Sequence, residues 1–183
     1  MSTRADARRN YDLLLAEARA AFAEHGTDAS LRDVARRAGV GIGTLYRHFP
    51  TREALLEALM RSNFDGLREH AESLLTAGDT AAALQEWLGR LATGSMAYRG
   101  LPESVLAALR DEQSQLHESC VAMREAGARL LHRAQQAGRV RAEVTADELL
   151  ALVSGLAWAS EQARQPAEML DQLLHIAMRG LAP

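Results

Sequence analysis

A single cysteine, Cys120, excludes an internal disulfide framework and fits a reducing compartment. Proline occurs only 4 times, and no run of alternating apolar and polar residues survives inspection, so a sheet-based fold is excluded and the expected class is all-α. Long apolar runs are missing too. The longest, residues 149–159, is broken by Ser154 and Gly155 and falls short of the roughly 20 residues that span a bilayer. The first ten residues, MSTRADARRN, lack the apolar stretch of a secretory signal, so the expected location is the cytoplasm. Lysine is absent, all 21 basic residues being arginine, a bias that genome composition explains as readily as function. The net charge of -3 argues against binding nucleic acid by bulk electrostatics. It is unevenly spread, with nine Arg against eight Asp and Glu in residues 1–60, which permits a small basic patch and no basic tail.

What the chain does contain is concentrated in residues 30–55, SLRDVARRAGVGIGTLYRHFPTREAL. Ser30 is a helix N-cap type with Asp33 three residues on, so that hydroxyl and carboxylate can both serve orphan N–H groups at a helix start. Leu31, Val34, Ala35 and Ala38 form one apolar stripe, and Gly39 can take the positive φ that stops the helix. Val40 plugs the turn, and a second helix over 42–48 carries Leu45 and Phe49 inward while Thr44, Arg47 and His48 point out. Two short helices joined by a glycine-containing turn make a helix-turn-helix.

The order Val34-Ala35, Ala38-Gly39-Val40, Gly43, Leu45-Tyr46, His48-Phe49 and Leu55 resembles the DNA-binding domain of TetR-type transcriptional regulators over the first third of the chain. Two positions depart from the common pattern. Gly41 stands where a serine usually caps the recognition helix, and Arg52 where a lysine usually begins the next helix. The resemblance implies that Ile42, Thr44 and Tyr46 face the major groove, that Tyr46 and His48 hold the sugar-phosphate backbone, and that Arg52 binds a phosphate. Arg32 aligns with a base-contacting position. Arg47 has the fork for a guanine, with a phosphate as the alternative. Each residue also has a purely structural reading: Tyr46 as a core aromatic, His48 as a turn cap, and the pairs Arg8-Arg9 and Arg36-Arg37 as solvated charge.

Around the motif, a first helix is expected over 5–24, with Tyr11, Leu14, Leu15, Ala18, Ala21 and Phe22 on one face. Thr51 caps a long helix reaching to about residue 75, Asp79 or Thr80 caps the next over 81–98, and Thr145 caps another over 146–164. Pro166 opens the last helix. The expected domains are a helix-turn-helix reader over 1–50 and a helical ligand-binding and dimerisation domain over 51–183, linked by the helix from Thr51.

The resemblance implies a homodimer controlled by a small molecule. Leu149, Leu152, Val153, Leu156 and Ser160, with Leu170, Leu173, Leu174 and Ala177 on the last helix, are the expected interface; an intramolecular core is the alternative. Trp87, Met96, Tyr98, His117, Cys120, Met123 and Trp158 are the candidate pocket residues, each also readable as plain core packing. With so few aromatics, 4%, no large stacking cage is expected. His117 and Cys120 share a helix face, but two ligands do not make a metal site, and no orienting acid or oxyanion donor accompanies them for catalysis. The expected function is therefore a non-enzymatic repressor of a near-palindromic double-stranded operator, released by an effector, with no cofactor, metal or membrane partner. The rivals are an activator or architectural protein without ligand control, and a helical small-molecule binder with a disused reader.

Overall fold

The computed structural model describes residues 4–96 and 101–183, with the side chains of Arg4, Ser95 and Met96 outside the description. Among the described residues there are nine α-helices, one 3-10 turn and no strand. They are α1 (Arg4–His25), the 3-10 turn (Gly26–Asp28), α2 (Leu31–Arg37), α3 (Ile42–His48), α4 (Arg52–Leu74), α5 (Thr80–Met96), α6 (Glu103–Arg110), α7 (Gln115–Gln136), α8 (Ala146–Ser160) and α9 (Pro166–Leu181). Two compact units result. One holds the described residues up to Ser62 with α6 and the chain to His117; the other holds Asn63–Met96 and Glu118–Pro183. The division falls within α4, whose Leu55, Leu56 and Leu59, all in the first unit, are fully buried.

In the first unit, local chemistry sets the element ends. Ser30 Oγ accepts from the Asp33 N–H at 3.3 Å, which starts α2. The Asp33 carboxylate does not complete the cap; it pairs with Arg36 Nη2 at 3.3 Å. At the other end Gly39 takes φ 69, its N–H donates to Arg36 O at 3.1 Å, and the Val40 N–H donates to Ala35 O at 3.0 Å. Those two bonds satisfy carbonyls that the helix end would otherwise orphan, and they aim the chain into α3. Thr51 Oγ1 then accepts from the Ala54 N–H at 3.1 Å and starts α4. α1 packs on α2 and α2 on α3 around buried Leu14, Ala18, Phe22, Leu31, Val34, Leu45 and Phe49. Each large side chain so buried contributes about 1.5–3 kcal/mol.

In the second unit α5, α8 and α9 pack on one another around Leu84, Trp87, Leu88, Leu130, Leu149, Val153, Leu170 and Leu174. The Trp87 indole N–H donates to Leu67 O at 2.9 Å, which satisfies its polar atom inside the core. Arg133 donates to Leu74 O at 3.3 Å and Ala77 O at 3.2 Å, closing the end of α4. The Asp79 carboxylate caps α5 by accepting from the Ala81 and Ala82 N–H groups, each at 3.1 Å. Thr145 and Glu148 form a reciprocal capping box on α8. α8 ends at Ser160, four residues earlier than its pattern suggests, because the Gln162 and Ala163 N–H groups turn back to Ala159 O at 3.3 Å and Ser160 O at 3.0 Å.

The residues expected at a dimer interface fall in different settings. Leu149, Val153, Ser160, Leu170 and Leu174 are buried within their own chain, and a face already covered offers no area to a second copy. Leu156, Leu173 and Ala177 are half-buried, and of that set Leu152 alone is exposed. The outward face of α8 and α9 carries Leu152, Gly155, Trp158, Met169 and Ile176 instead.

Candidate nucleic-acid interface

α3 is seven residues long, about 10 Å at 1.5 Å per residue, and fits the width of a major groove. Leu45, with Phe49 just beyond the helix, anchors it to the core. Ile42, Gly43, Tyr46 and Arg47 occupy the opposite, exposed face. Tyr46 is 47% exposed, so it is not the core aromatic that the sequence also allowed. Gly41 caps the helix start without a side-chain bond, in extended backbone at φ -70 and ψ 148.

Arg47 lies back along α3: its Nη2 donates to Thr44 Oγ1 at 2.8 Å and its Nε to Gly43 O at 3.4 Å. Thr44 is accordingly half-buried, with its hydroxyl engaged. The Arg–Thr bond orients the guanidinium and leaves Nη1 for another acceptor. His48 is half-buried, its ring 6.0 Å from Tyr11 of α1 and edge-on to it. Tyr11 also tilts against Phe49 at 5.0 Å, so α1 buttresses the end of the recognition helix. Arg32 is exposed in the first turn of α2. Arg36 is bound to Asp33, and Arg37 to Glu24 at 3.0 Å. The Arg37 hydrogen bond and charge hold the Glu24 carboxyl below its usual range and push the guanidinium up, so this pair stays ionised on the surface.

Arg52 is the displaced member of the set. It turns inward, half-buried, and Nη1 donates to Thr27 O at 2.6 Å and Ala29 O at 2.8 Å. Of the guanidinium expected to meet a phosphate, Nη1 is thus engaged by two backbone carbonyls that the turn before α2 presents at hydrogen-bonding distance.

Residues 14–59 match the family described as bacterial regulatory proteins, tetR family, and residues 79–183 match the C-terminal domain described as transcriptional regulator SbtR-like. The chain belongs to the TetR family of transcriptional regulators. A solved structure of the TetR transcriptional regulator SCO0520 from Streptomyces coelicolor is 34% identical and superposes with a TM-score of 0.76, covering 94% of this chain and 98% of that one. The TetR transcription regulatory protein from Mycobacterium vanbaalenii is 30% identical, with a TM-score of 0.66 and coverage of 98% and 99%. Among curated relatives, the HTH-type transcriptional repressor KstR2 of Rhodococcus jostii (strain RHA1) is 26% identical over 178 residues, covering 88% of this chain and 85% of that one. This TetR-family regulator thus carries the DNA-binding helix-turn-helix in α2 and α3.

The candidate pocket residues fall in different settings. Trp87 and Met123 are buried in the second unit's core, and Cys120 is half-buried against it. Beside Trp87 lies a cavity of about 10 Å³ lined by Arg124, Gly127, Leu131 and Leu149, room for no more than about one water. His117 belongs to the first unit, where Nδ1 lies 2.8 Å from Leu109 O and its backbone N–H donates to Ser114 Oγ at 3.0 Å. Those bonds give it a turn-holding role between α6 and α7. Trp158 is 69% exposed on α8 and lines no part of the core. Tyr98 and the Met96 side chain lie outside the described residues. Burial pushes the Cys120 thiol up, with Arg124 partly opposing it, so the sulfur is a poor nucleophile at neutral pH. Among the described residues no three His, Cys, Asp or Glu side chains gather in a way that could hold a metal, and no helix is long and apolar enough to cross a membrane.

Proposed function

We propose that this regulator is a cytoplasmic repressor that binds a near-palindromic operator as a homodimer and is released by a small-molecule effector. Residues 1–50 read the DNA, with Arg32, Ile42, Thr44, Tyr46, Arg47 and His48 at the interface; residues 51–183 bind the effector and dimerise. The observation that carries the DNA-reading part is the outward face of α3, where Ile42, Tyr46 and Arg47 stand clear of the core that Leu45 and Phe49 anchor. Two further observations favour the rest. Leu152, Trp158, Met169 and Ile176 expose apolar area on α8 and α9, and an isologous pairing of that face gives an assembly with two readers, one for each half-site. KstR2, similar over most of both chains, is named a repressor, which favours repression here.

Control by an effector is a shift between two dimer conformations, one of which holds the recognition helices at a spacing the half-sites do not match. Footprinting on the gene's own upstream region tests the reading. Two protected half-sites about one or two helical turns apart are expected, and protection lost on titration with one metabolite class completes it. A purified dimer that protects no duplex overturns the DNA part, and effector-binding protein whose operator affinity never changes overturns the regulatory part.

A further inference from the structure

Arg52 stands at the first position of α4, the positive end of the helix dipole, where a cation is disfavoured unless its charge is carried elsewhere. Its long side chain does carry it elsewhere. One nitrogen, Nη1, has two hydrogens, and the carbonyls of Thr27 and Ala29 accept at 2.6 and 2.8 Å, so both bonds can form at once. These carbonyls belong to the 3-10 turn and its C-cap; Gly26 opens the turn at φ 69, and the Ala29 N–H donates to Gly26 O at 3.2 Å. Ala29 is buried and immediately precedes Ser30, the N-cap of α2. The guanidinium therefore ties the start of the linking helix to the residue before the helix-turn-helix. α2 packs on α3, so the backbone that Arg52 holds sets where the recognition helix stands.

We propose that Arg52 is a positioning residue of the DNA reader: it fixes the backbone leading into α2 through the Thr27 and Ala29 carbonyls, and operator affinity depends on it through that backbone rather than through a phosphate. The inference rests on the DNA-reading role of α3. It distinguishes charge from geometry. A lysine keeps the charge and has hydrogens for both carbonyls but ends one bond short of the position of Nη1; a glutamine loses the charge and ends two bonds short.

The test compares the full-length wild type with Arg52→Lys and Arg52→Gln on a duplex that the wild type selects from a random library, over a series of salt concentrations. Both variants are expected to bind about tenfold more weakly, with the slope of log affinity against log salt unchanged from wild type. Hydrogen exchange in the free chain is expected to speed up at the amides of residues 27–34 in both. The proposal is overturned if Arg52→Lys binds like wild type while Arg52→Gln flattens the slope by about one, the signature of a lost phosphate contact. It is equally overturned if exchange at 27–34 in Arg52→Gln equals that of wild type. Should the glutamine variant fail to fold, the lysine variant carries the same two comparisons. A wild type that selects no duplex counts against the DNA-reading role, and the exchange comparison still decides on Arg52.

Discussion

Gly127 lies so close to the indole of Trp87 that a Cβ built on it would sit 2.2 Å from the ring's Cη2 and 2.6 Å from Cζ3. Trp87 cannot swing aside without giving up its bond to Leu67 O, so the glycine is where α7 lets the ring in. Gly127→Ala gains up to about 1 kcal/mol of helix propensity and loses about 1–3 kcal/mol or more to overpacking. Net destabilisation is the expected outcome in urea melts, with Trp87→Leu in the Gly127→Ala background recovering part of it. The sequence marks Trp87 as a large side chain in the regulatory half; that its neighbour must be glycine depends on which helix faces it, a matter of tertiary contact. Cys120 gives a second residue-scale prediction. Its thiol is raised by burial, so at pH 8 iodoacetamide should label the folded chain at least about tenfold more slowly than the urea-unfolded chain, as read by intact mass. Equal rates would place the sulfur in open solvent.

At the scale of elements, helix starts were legible because caps are local chemistry. Ser30, Thr51, Asp79 and Thr145 each accept the N–H bonds that their residue types suggest. On α8 the Thr145 N–H donates to the Glu148 carboxylate at 2.9 Å and the Thr145 hydroxyl at 2.8 Å, which holds that carboxyl below its usual range. A depressed folded value means that the stabilisation is fully present above the unfolded carboxylate pKa and is lost as pH falls through the lower folded one. Wild type should therefore melt above Glu148→Gln at pH 7, and the gap should close as pH drops below about 4. A gap independent of pH would remove the charge from the cap. On α3 the bond from Arg47 to Thr44 could not be read from spacing, because it depends on the rotamer the arginine adopts. With the guanidinium so held, Arg47→Ala is expected to relax base preference at one position of each half-site by about 1–3 kcal/mol. Uniform weakening across all sequences would assign Arg47 to a phosphate instead.

At the scale of the whole molecule, the exposed Trp158, at 69%, and Ile176, at 65%, carry the prediction for assembly. Trp158→Glu should shift the sedimenting species from about twice 19.9 kDa toward 19.9 kDa while leaving helix content and melting temperature of the subunit nearly unchanged. Val153→Glu, five residues earlier on α8 and buried, should instead unfold the second unit, since it strands a charge in the core. Both residues lie in one apolar helix, and the pattern of α8 is apolar on too many sides to say which stripe faces inward. The sequence by itself determined what depends on neighbours within a few positions: the all-α class, the helix-turn-helix with Gly39 at its turn, the caps, and the inward Leu45 and Phe49 of α3. Only the tertiary structure decided which face of α8 its own chain covers, why Gly127 must lack a side chain, and that Arg52 reaches two carbonyls more than twenty residues earlier. The physical reason is that periodicity records how a residue relates to its own helix, whereas burial and long side-chain bonds depend on what the rest of the fold brings alongside.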